Sequence, residues 1–338
     1  MTRPDGRPET PARTCDASVV VATRQRGRLL PRLVQTLLSQ TGISSFEVVL
    51  VDDGSTDDTH DVLNRLAAAD PRVRVERLAE RRGPAVARNR GWRVATGPYV
   101  AFTDDDCLPD PTWLSTLVAA HREGFDIVQG RTEADTLDAE RGAFSNVVEI
   151  ESLSHLYQTC NISYRRELLE ALGGFEEAFG FSLGGAPNGE DADLGWRAHE
   201  EGARETFEDR AVVVHPVLPR SFRQALLARL RATRMVYFVR RHPGFRRYAI
   251  GRVFFQESHP LAVASMVCLV PALVTRSAEG VAVGCVGLLP YAYYRWRLNP
   301  LMGRRRHQPF LIAGAWVIDC TEVLVMLTAS LRWRTFFI

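Results

Sequence analysis

The 338-residue sequence contains no lysine, so all 42 of its basic residues are arginine. A GC-rich coding sequence produces that bias. Its physical consequence is that every fixed positive charge is a planar guanidinium, suited to bidentate contact with phosphate or carboxylate. Net charge is equally scarce, because 42 basic residues against 40 acidic ones leave +2. That excludes a general nucleic-acid binder, which needs a basic surface. Cysteines are few and scattered. Cys15, Cys107, Cys160, Cys268, Cys285 and Cys320 include no CxxC pair, so neither a zinc ribbon nor a disulfide framework is expected and a reducing cytoplasm fits. Residues 1–16 are polar and proline-rich, lack the apolar stretch of a signal peptide, and read as a disordered lead-in. What remains, 46% hydrophobic and 24% charged, is enough to build a core. The length allows one large domain with an appendage, or two modest domains.

Apolar patterning supplies the framework. Residues 18–23 (SVVVAT), 46–54 (FEVVLVDDG), 73–78 and 98–102 read as buried strands. Helical spacing falls between and after them, at 29–40, 56–69, 84–96 and 111–122. Strands alternating with helices at this interval predict βαβ units around a mainly parallel sheet covered on both faces. Ligands in such sheets bind beyond the carboxyl ends of the strands. Beyond residue 123 the pattern loosens. Strands are expected at 126–131, 159–164 and 211–214, and helices at 166–172 and 191–201. A glycine-rich, aromatic stretch at 173–189 reads as a mobile loop.

Acidic residues gather at the ends of expected strands. Asp52-Asp53-Gly54-Ser55 follows the second strand. A carboxylate there can accept from a base N–H or a ribose hydroxyl, or can simply shape a turn and cap a helix. Gly54 stands where a dehalogenase-type phosphatase would carry a third acid. A phospho-receiver domain would have its acidic pair one strand earlier. Asp104-Asp105-Asp106 follows the fourth strand. Adjacent carboxylates repel one another, so grouping them is costly without a cation. Oxygen donors suit Mg²⁺ or Mn²⁺ bridging to diphosphate. On an extended backbone Asp104 and Asp106 would point the same way, one towards ribose and the other towards metal. Glu190-Asp191 opens a helix, where acids offset the helix dipole or serve as a general base for an acceptor hydroxyl. His215 ends a strand and can complete a metal shell or be structural. Arg88-Asn89 can meet phosphate or base, or lie on a solvated face, the reading that suits Arg81 and Arg82.

In order, SVVVATRQRGRLLPRLVQTLLSQ, FEVVLVDDGSTDDT, RGPAVARNRGWRVATGPYVAFTDDDCLPDP, GGFEEAF and GEDADLGWR resemble the family 2 glycosyltransferases with the GT-A fold. The resemblance covers residues 17–218. It implies that Thr23 and Asp53 line a nucleotide pocket, that Arg88 lies close to the nucleotide, and that Asp104 contacts the nucleoside. It also implies that Asp106 and His215 hold the divalent ion, with Asp191 the catalytic base supported by Glu190. The implied reaction is inverting transfer from a nucleotide-diphosphate sugar to an acceptor hydroxyl, with the loop at 173–189 closing over the donor. The first strand ends Ala-Thr-Arg-Gln-Arg, where many relatives carry Pro-Thr-Tyr-Asn, and this leaves the nucleobase open. A Gln-x-x-Arg-Trp segment, expected of processive polymerases, does not follow the catalytic helix.

Residues 219–338 have a different composition. Ten arginines between 220 and 252 precede apolar runs at 261–275 and 281–294, and a third run at 309–331 is interrupted by Asp319 and Glu322. Neither of the first two runs reaches the ~20 residues of a simple transmembrane helix. They suit a tight hairpin, a re-entrant pair, an interfacial layer or an oligomer interface. Arginines flank the pair, including Arg295, Arg297, Arg304, Arg305 and Arg306, with Arg276 alone between the runs. This places both flanks at the cytoplasmic face of a membrane and favours a lipid-linked or envelope-glycan acceptor. Two other readings stay open. One is a catalytically silent, membrane-bound nucleotide-sugar-binding scaffold. The other is a sugar nucleotidyltransferase, which would want more glycine than Arg24-Gln25-Arg26-Gly27-Arg28 provides.

Overall fold

A computed structural model describes residues 15–135, 144–145, 147–179, 189–298 and 308–338. Residues 1–14 of the expected lead-in, 180–188 of the expected loop, and Arg304, Arg305 and Arg306 lie outside the described residues. The chain divides into two compact units, the first running essentially to Val217 and the second formed mainly by Leu218–Ile338.

The first unit is built on an eight-stranded sheet in the order β3-β2-β1-β4-β7-β6-β8-β5. Strands β1 (Ala17–Thr23), β2 (Phe46–Asp52), β3 (Val73–Arg77) and β4 (Tyr99–Thr103) are parallel neighbours. Their apolar, β-branched residues carry no strict alternation because helices cover both faces of such a sheet. The intervening helices are α1 (Leu30–Leu38), α2 (Thr59–Ala69) and α3 (Pro84–Val94). Val19, Val21, Leu33, Leu37, Val48 and Leu50 meet in the core. Past β4 the sheet becomes mixed. β7 (Asn161–Arg165) runs antiparallel to both β4 and β6 (Ile127–Ala134), and β8 (Glu205–His215) runs parallel to β6. The two-residue β5 (Leu108–Pro109) pairs antiparallel with the end of β8, and α4 (Trp113–Arg122) follows it. Helices α5 (Arg166–Leu172) and α6 (Glu190–Glu200) complete the unit.

Glycine is required in the turn after β2. Gly54 has φ +64°, and a Cβ there would lie 2.5 Å from the backbone carbon of Glu80. The chain can turn this tightly beside residue 80 only without a side chain.

Among its described residues the second unit is helical. α7 (Phe222–Ala228) starts with a capping box between Ser221 and Gln224 and leads through a 3-10 turn into α8 (Thr233–Arg241). Three apolar helices follow: α9 (Ser258–Thr275), α10 (Ala278–Leu298) and α11 (Gln308–Trp333). Polar ends make α9 and α10, at 18 and 21 residues, longer than their apolar runs. α9 and residues Pro309–Trp333 are long and apolar enough to cross a membrane by length and composition. α9 and α10 form a close hairpin, and a Cβ on Gly287 would fall 2.2 Å from Cβ of Cys268. The acids that interrupt the third run are accommodated inside the unit. Asp319 accepts from Tyr291 at 2.8 Å and pairs with Arg295, and Glu322 lies 3.2 Å from Arg229. Apolar side chains face outward instead, with Leu273 75%, Phe310 81% and Leu331 82% exposed.

Candidate active site

The carboxyl ends of β1, β2 and β4 lie side by side. Thr23 is the last residue of β1, and Asp53 follows the last residue of β2. Asp53 anchors the approach to α3, because its carboxylate accepts from the backbone N–H of Arg82 at 2.6 Å and of Gly83 at 2.9 Å. Burial pushes its carboxyl up despite those bonds. Thr23 and Asp53, together with Arg24, Arg81, Gly83 and Pro84, line a cavity of about 230 Å³. Asp52 has a structural place. It is fully buried, accepts from Ser55 N–H at 2.9 Å, and lies 3.6 Å from both His60 and Arg77.

The acidic triplet after β4 does not continue as extended chain. Cys107 N–H donates to the Asp104 carbonyl at 3.2 Å, closing a turn. The expected alternation fails for that reason, and the three side chains fan out instead. Asp104 accepts from Arg88 at 3.1 Å, Asp105 from the Thr23 hydroxyl at 2.7 Å, and Asp106 lies 3.5 Å from Arg26. Burial pushes Asp105 up to about 6. Burial and then the charge of Asp104 raise Asp106, against the pull of His215 and Arg26.

Arg88 is buried, not on a solvated helix face. Its guanidinium bridges Glu190 at 3.0 Å and Asp104 at 3.1 Å. Burial works against its charge, and Asp104, Glu190 and Asp191 more than offset that. Arg81 and Arg82 are exposed. Three acids fill the first turn of α6. Asp193 is taken by Arg197 at 2.8 Å, which leaves Glu190 and Asp191 facing the site. Glu190 is 5% exposed, and its Oε2 has no hydrogen-bond partner among the described residues. Desolvation, and then the charge of Glu190, push the half-buried Asp191 up to about 7. A carboxyl near that value exchanges protons readily at neutral pH.

His215 ends β8 and is buried. Its Nδ1 lies 2.9 Å from the Pro216 carbonyl, an oxygen that can only accept. Nδ1 therefore carries the proton and Nε2 offers a lone pair. Ligand atoms of Asp104, Cys107 and His215 lie within 4.8 Å of one another. The carboxylates of Asp104 and Asp106 and the imidazole lone pair of His215 make a donor set that fits a divalent cation.

Thr23, Asp53, Arg88, Asp104, Asp106, Glu190, Asp191 and His215 all belong to the first unit, and contacts connect them in two groups. Thr23 and Asp53 share the cavity, while Arg88 gathers Asp104 and Glu190 and has Asp191 within electrostatic reach, and Asp106 and His215 lie with Asp104. Asp105 joins the groups through Thr23. Sequence reasoning missed Asp105, Arg26 and Cys107. The turn that redirects them has no marker in composition, although Asp105 stood between two expected site residues.

The profile described as glycosyl transferase family 2 matches residues 18–173. Glycosyltransferase AglE of Haloferax volcanii is 28% identical over 211 residues, which cover 60% of this chain and 67% of that protein. Validoxylamine A glucosyltransferase of Streptomyces hygroscopicus subsp. jinggangensis is 32% identical over 228 residues, covering 55% of this chain and 51% of that protein. The chain thus spans between half and two thirds of the length of these curated relatives. Among solved structures, mannosyltransferase PcManGT from Pyrobaculum calidifontis, in complex with GDP-Man and Mn²⁺, superposes with a TM-score of 0.58 at 22% identity, covering 90% of this chain and 88% of that one. S. aureus TarS in complex with UDP-GlcNAc gives 0.51 at 16% identity, covering 95% and 92%. The fold is GT-A, with an apolar helical C-terminal region.

Proposed function

Because residues 18–173 belong to glycosyl transferase family 2, we propose that the chain moves a sugar from a nucleotide-diphosphate donor to an acceptor hydroxyl, with inversion. One observation carries this reading. Arg88 holds Glu190 and Asp104 together beside Asp191, whose carboxyl is pushed up to about 7. Thr23 and Asp53 would line the nucleotide pocket, with the guanidinium groups of Arg24 and Arg81 at its wall. Asp104 would meet the nucleoside and Arg88 would lie next to it. Asp191 would take the proton of the acceptor hydroxyl as that oxygen bonds to the anomeric carbon and the bond to the diphosphate breaks. Glu190, fixed by Arg88, would hold Asp191 in position and keep its basicity high.

Asp106 and His215 would hold Mg²⁺ or Mn²⁺, and a cation there supplies neutralisation of the departing diphosphate. The nucleotide sugars and Mn²⁺ found with the GT-A neighbours support this part of the reading.

Residues 17–218 would form the catalytic domain, and 219–338 a region associated with the cytoplasmic face of the cell membrane. Exposed apolar side chains on α9 and α11 support that association. So does Arg220, whose charge is disfavoured first by burial and then by Arg231 and Arg229, an arrangement that an anionic surface would relieve. A lipid-linked or envelope-glycan acceptor fits it.

The test is a thermal-shift panel of nucleoside diphosphates with and without Mn²⁺, since a ligand of the native state raises the midpoint. A metal-dependent rise with one nucleotide, lost in Asp106→Ala, supports the assignment. No rise with any nucleotide overturns it. Binding with neither transfer nor donor hydrolysis would leave a silent nucleotide-sugar-binding protein.

A further inference from the structure

The turn after β4 carries a sulfur atom beside the oxygen and nitrogen donors of the proposed cation site. β5 pairs antiparallel with the end of β8, Leu108 opposite Val214 and Pro109 opposite Val213. Extending that register by one residue sets Cys107 opposite His215. Cross-strand partners of this kind project to the same side of the sheet. The side chains follow the register, with Sγ of Cys107, a nitrogen of His215 and a carboxylate oxygen of Asp104 all within 4.8 Å of one another. Asp106 adds a second carboxylate, its Oδ1 4.0 Å from Sγ. Cys107 is fully buried and His215 is 6% exposed, so neither group is exchanging freely with bulk water. His215 presents its lone pair on Nε2, as its Nδ1 proton goes to the Pro216 carbonyl.

A buried cysteine is commonly a small core residue, and Cys107 does touch the core of the first unit. Its other neighbours are unusual for that role. A purely apolar contact requires no imidazole and two carboxylates beside the sulfur. A divalent cation does require such a group, and its charge would settle acids that now repel one another.

We propose that Cys107 is a further ligand of the divalent cation held by Asp106 and His215, with the Asp104 carboxylate next to it, and that its sulfur shifts the site's preference from Mg²⁺ towards softer divalent ions. This rests on the cation reading above and deepens it. On binding, the S–H proton leaves to solvent and a metal–sulfur bond forms, with no change in oxidation state. Mg²⁺ holds thiolate poorly, whereas Co²⁺, Cd²⁺ and Zn²⁺ accept mixed oxygen, nitrogen and sulfur shells.

The experiment is a titration of the full chain with Co²⁺, free of nucleotide, following thiolate-to-cobalt charge-transfer absorption in the near ultraviolet. Mn²⁺ binding is followed in parallel by electron paramagnetic resonance. The expected result is a charge-transfer band in the native protein and in Cys160→Ser, and none in Cys107→Val. Cd²⁺ affinity in Cys107→Val should fall about tenfold or more, while Mn²⁺ affinity changes less. A protein keeping Cys107 as its single cysteine should retain the band, and it decides the matter if Cys107→Val does not fold. Mn²⁺ binding with no sulfur band in native protein overturns the role of Cys107 and leaves the cation reading standing. Failure of every cation to bind overturns both.

Discussion

Two acidic clusters sit at equivalent places in this sheet and have opposite fates. Asp52-Asp53 ends β2 and Asp104-Asp105-Asp106 follows β4, and both strands pair with β1 in parallel. The first pair is engaged with the polypeptide itself. Asp52 accepts from Ser55 N–H, and Asp53 accepts from the N–H groups of Arg82 and Gly83. The triplet meets mainly side chains, among them Arg88, Thr23 and Arg26, and burial pushes up Asp105 and Asp106 as it does Asp53. Main-chain hydrogen bonds satisfy a carboxylate permanently, whereas clustered carboxylates short of positive charge store repulsion that a cation can release. The first cluster shapes the pocket wall, and the second is left poised for a ligand.

The sharpest way to break this contrast is chemical. Asp191→Asn keeps size and shape and removes the proposed base. Transfer should fall by about 10²–10⁴-fold while nucleotide binding survives, as read by initial rates beside a thermal-shift titration. Loss of binding together with rate would mean that Asp191 acts structurally.

Arg88 tests whether the unsettled side is held together by one cation. Its side chain is 10% exposed and that of Glu190 is 7% exposed. Arg88→Met leaves Glu190 buried without its partner, and stability should fall by about 3–5 kcal/mol. Adding Glu190→Gln should recover much of that loss in denaturant titrations. An equal loss in the double variant would show that packing, and not charge, is what Arg88 provides. On the settled side the loss should be smaller. Asp53→Ala removes the acceptor for Arg82 and Gly83 and should cost about 2–3 kcal/mol, with weaker nucleotide binding as the 82–83 segment loosens.

These contrasts also mark how far the sequence could be read. β1, β2 and β4 are short β-branched runs with acids at or just past the ends of two of them, and a buried parallel sheet leaves that imprint. β8 was foreseen only from Ala211, because Glu205–Arg210 alternates poorly and is half-buried or exposed. β5 has two residues, too few for any periodicity. Yet β5 sets His215 beside the acidic turn, so the environment of His215 is tertiary information. Arg88 was ambiguous for a related reason. A guanidinium on a helix reads as solvated until acids from residues 104 and 190 are brought to it. Alternation does not mark Asp105, because it assumes extended backbone and a turn at 104–107 breaks it.

The smallest expected effect separates Asp191 from Asp53 by pH. Asp191 is raised from the usual carboxyl range to about 7, so the folded state disfavours its charge. A raised group contributes stability that is fully present below its unfolded value and is lost as pH rises through its folded value. For Asp191 that window runs from about 4 to about 7. Asp191→Asn removes the titration. Relative to wild type it should be nearly equal in stability at pH 4 and more stable at pH 8. The gap should be about 1–2 kcal/mol, less than the full shift implies, because the side chain keeps some contact with solvent. Asp53→Asn offers no matching gain at pH 8, since an amide in one of its two rotamers turns N–H groups towards those of Arg82 and Gly83 and loses acceptor capacity in either. Unfolding curves for both variants at the two pH values decide the point. A gain at high pH in Asp191→Asn alone would mean that relief of an unfavourable charge dominates at Asp191, whereas at Asp53 the lost acceptor for Arg82 and Gly83 outweighs relief of a charge that burial also disfavours. Equal responses would place both acids among the structural ones.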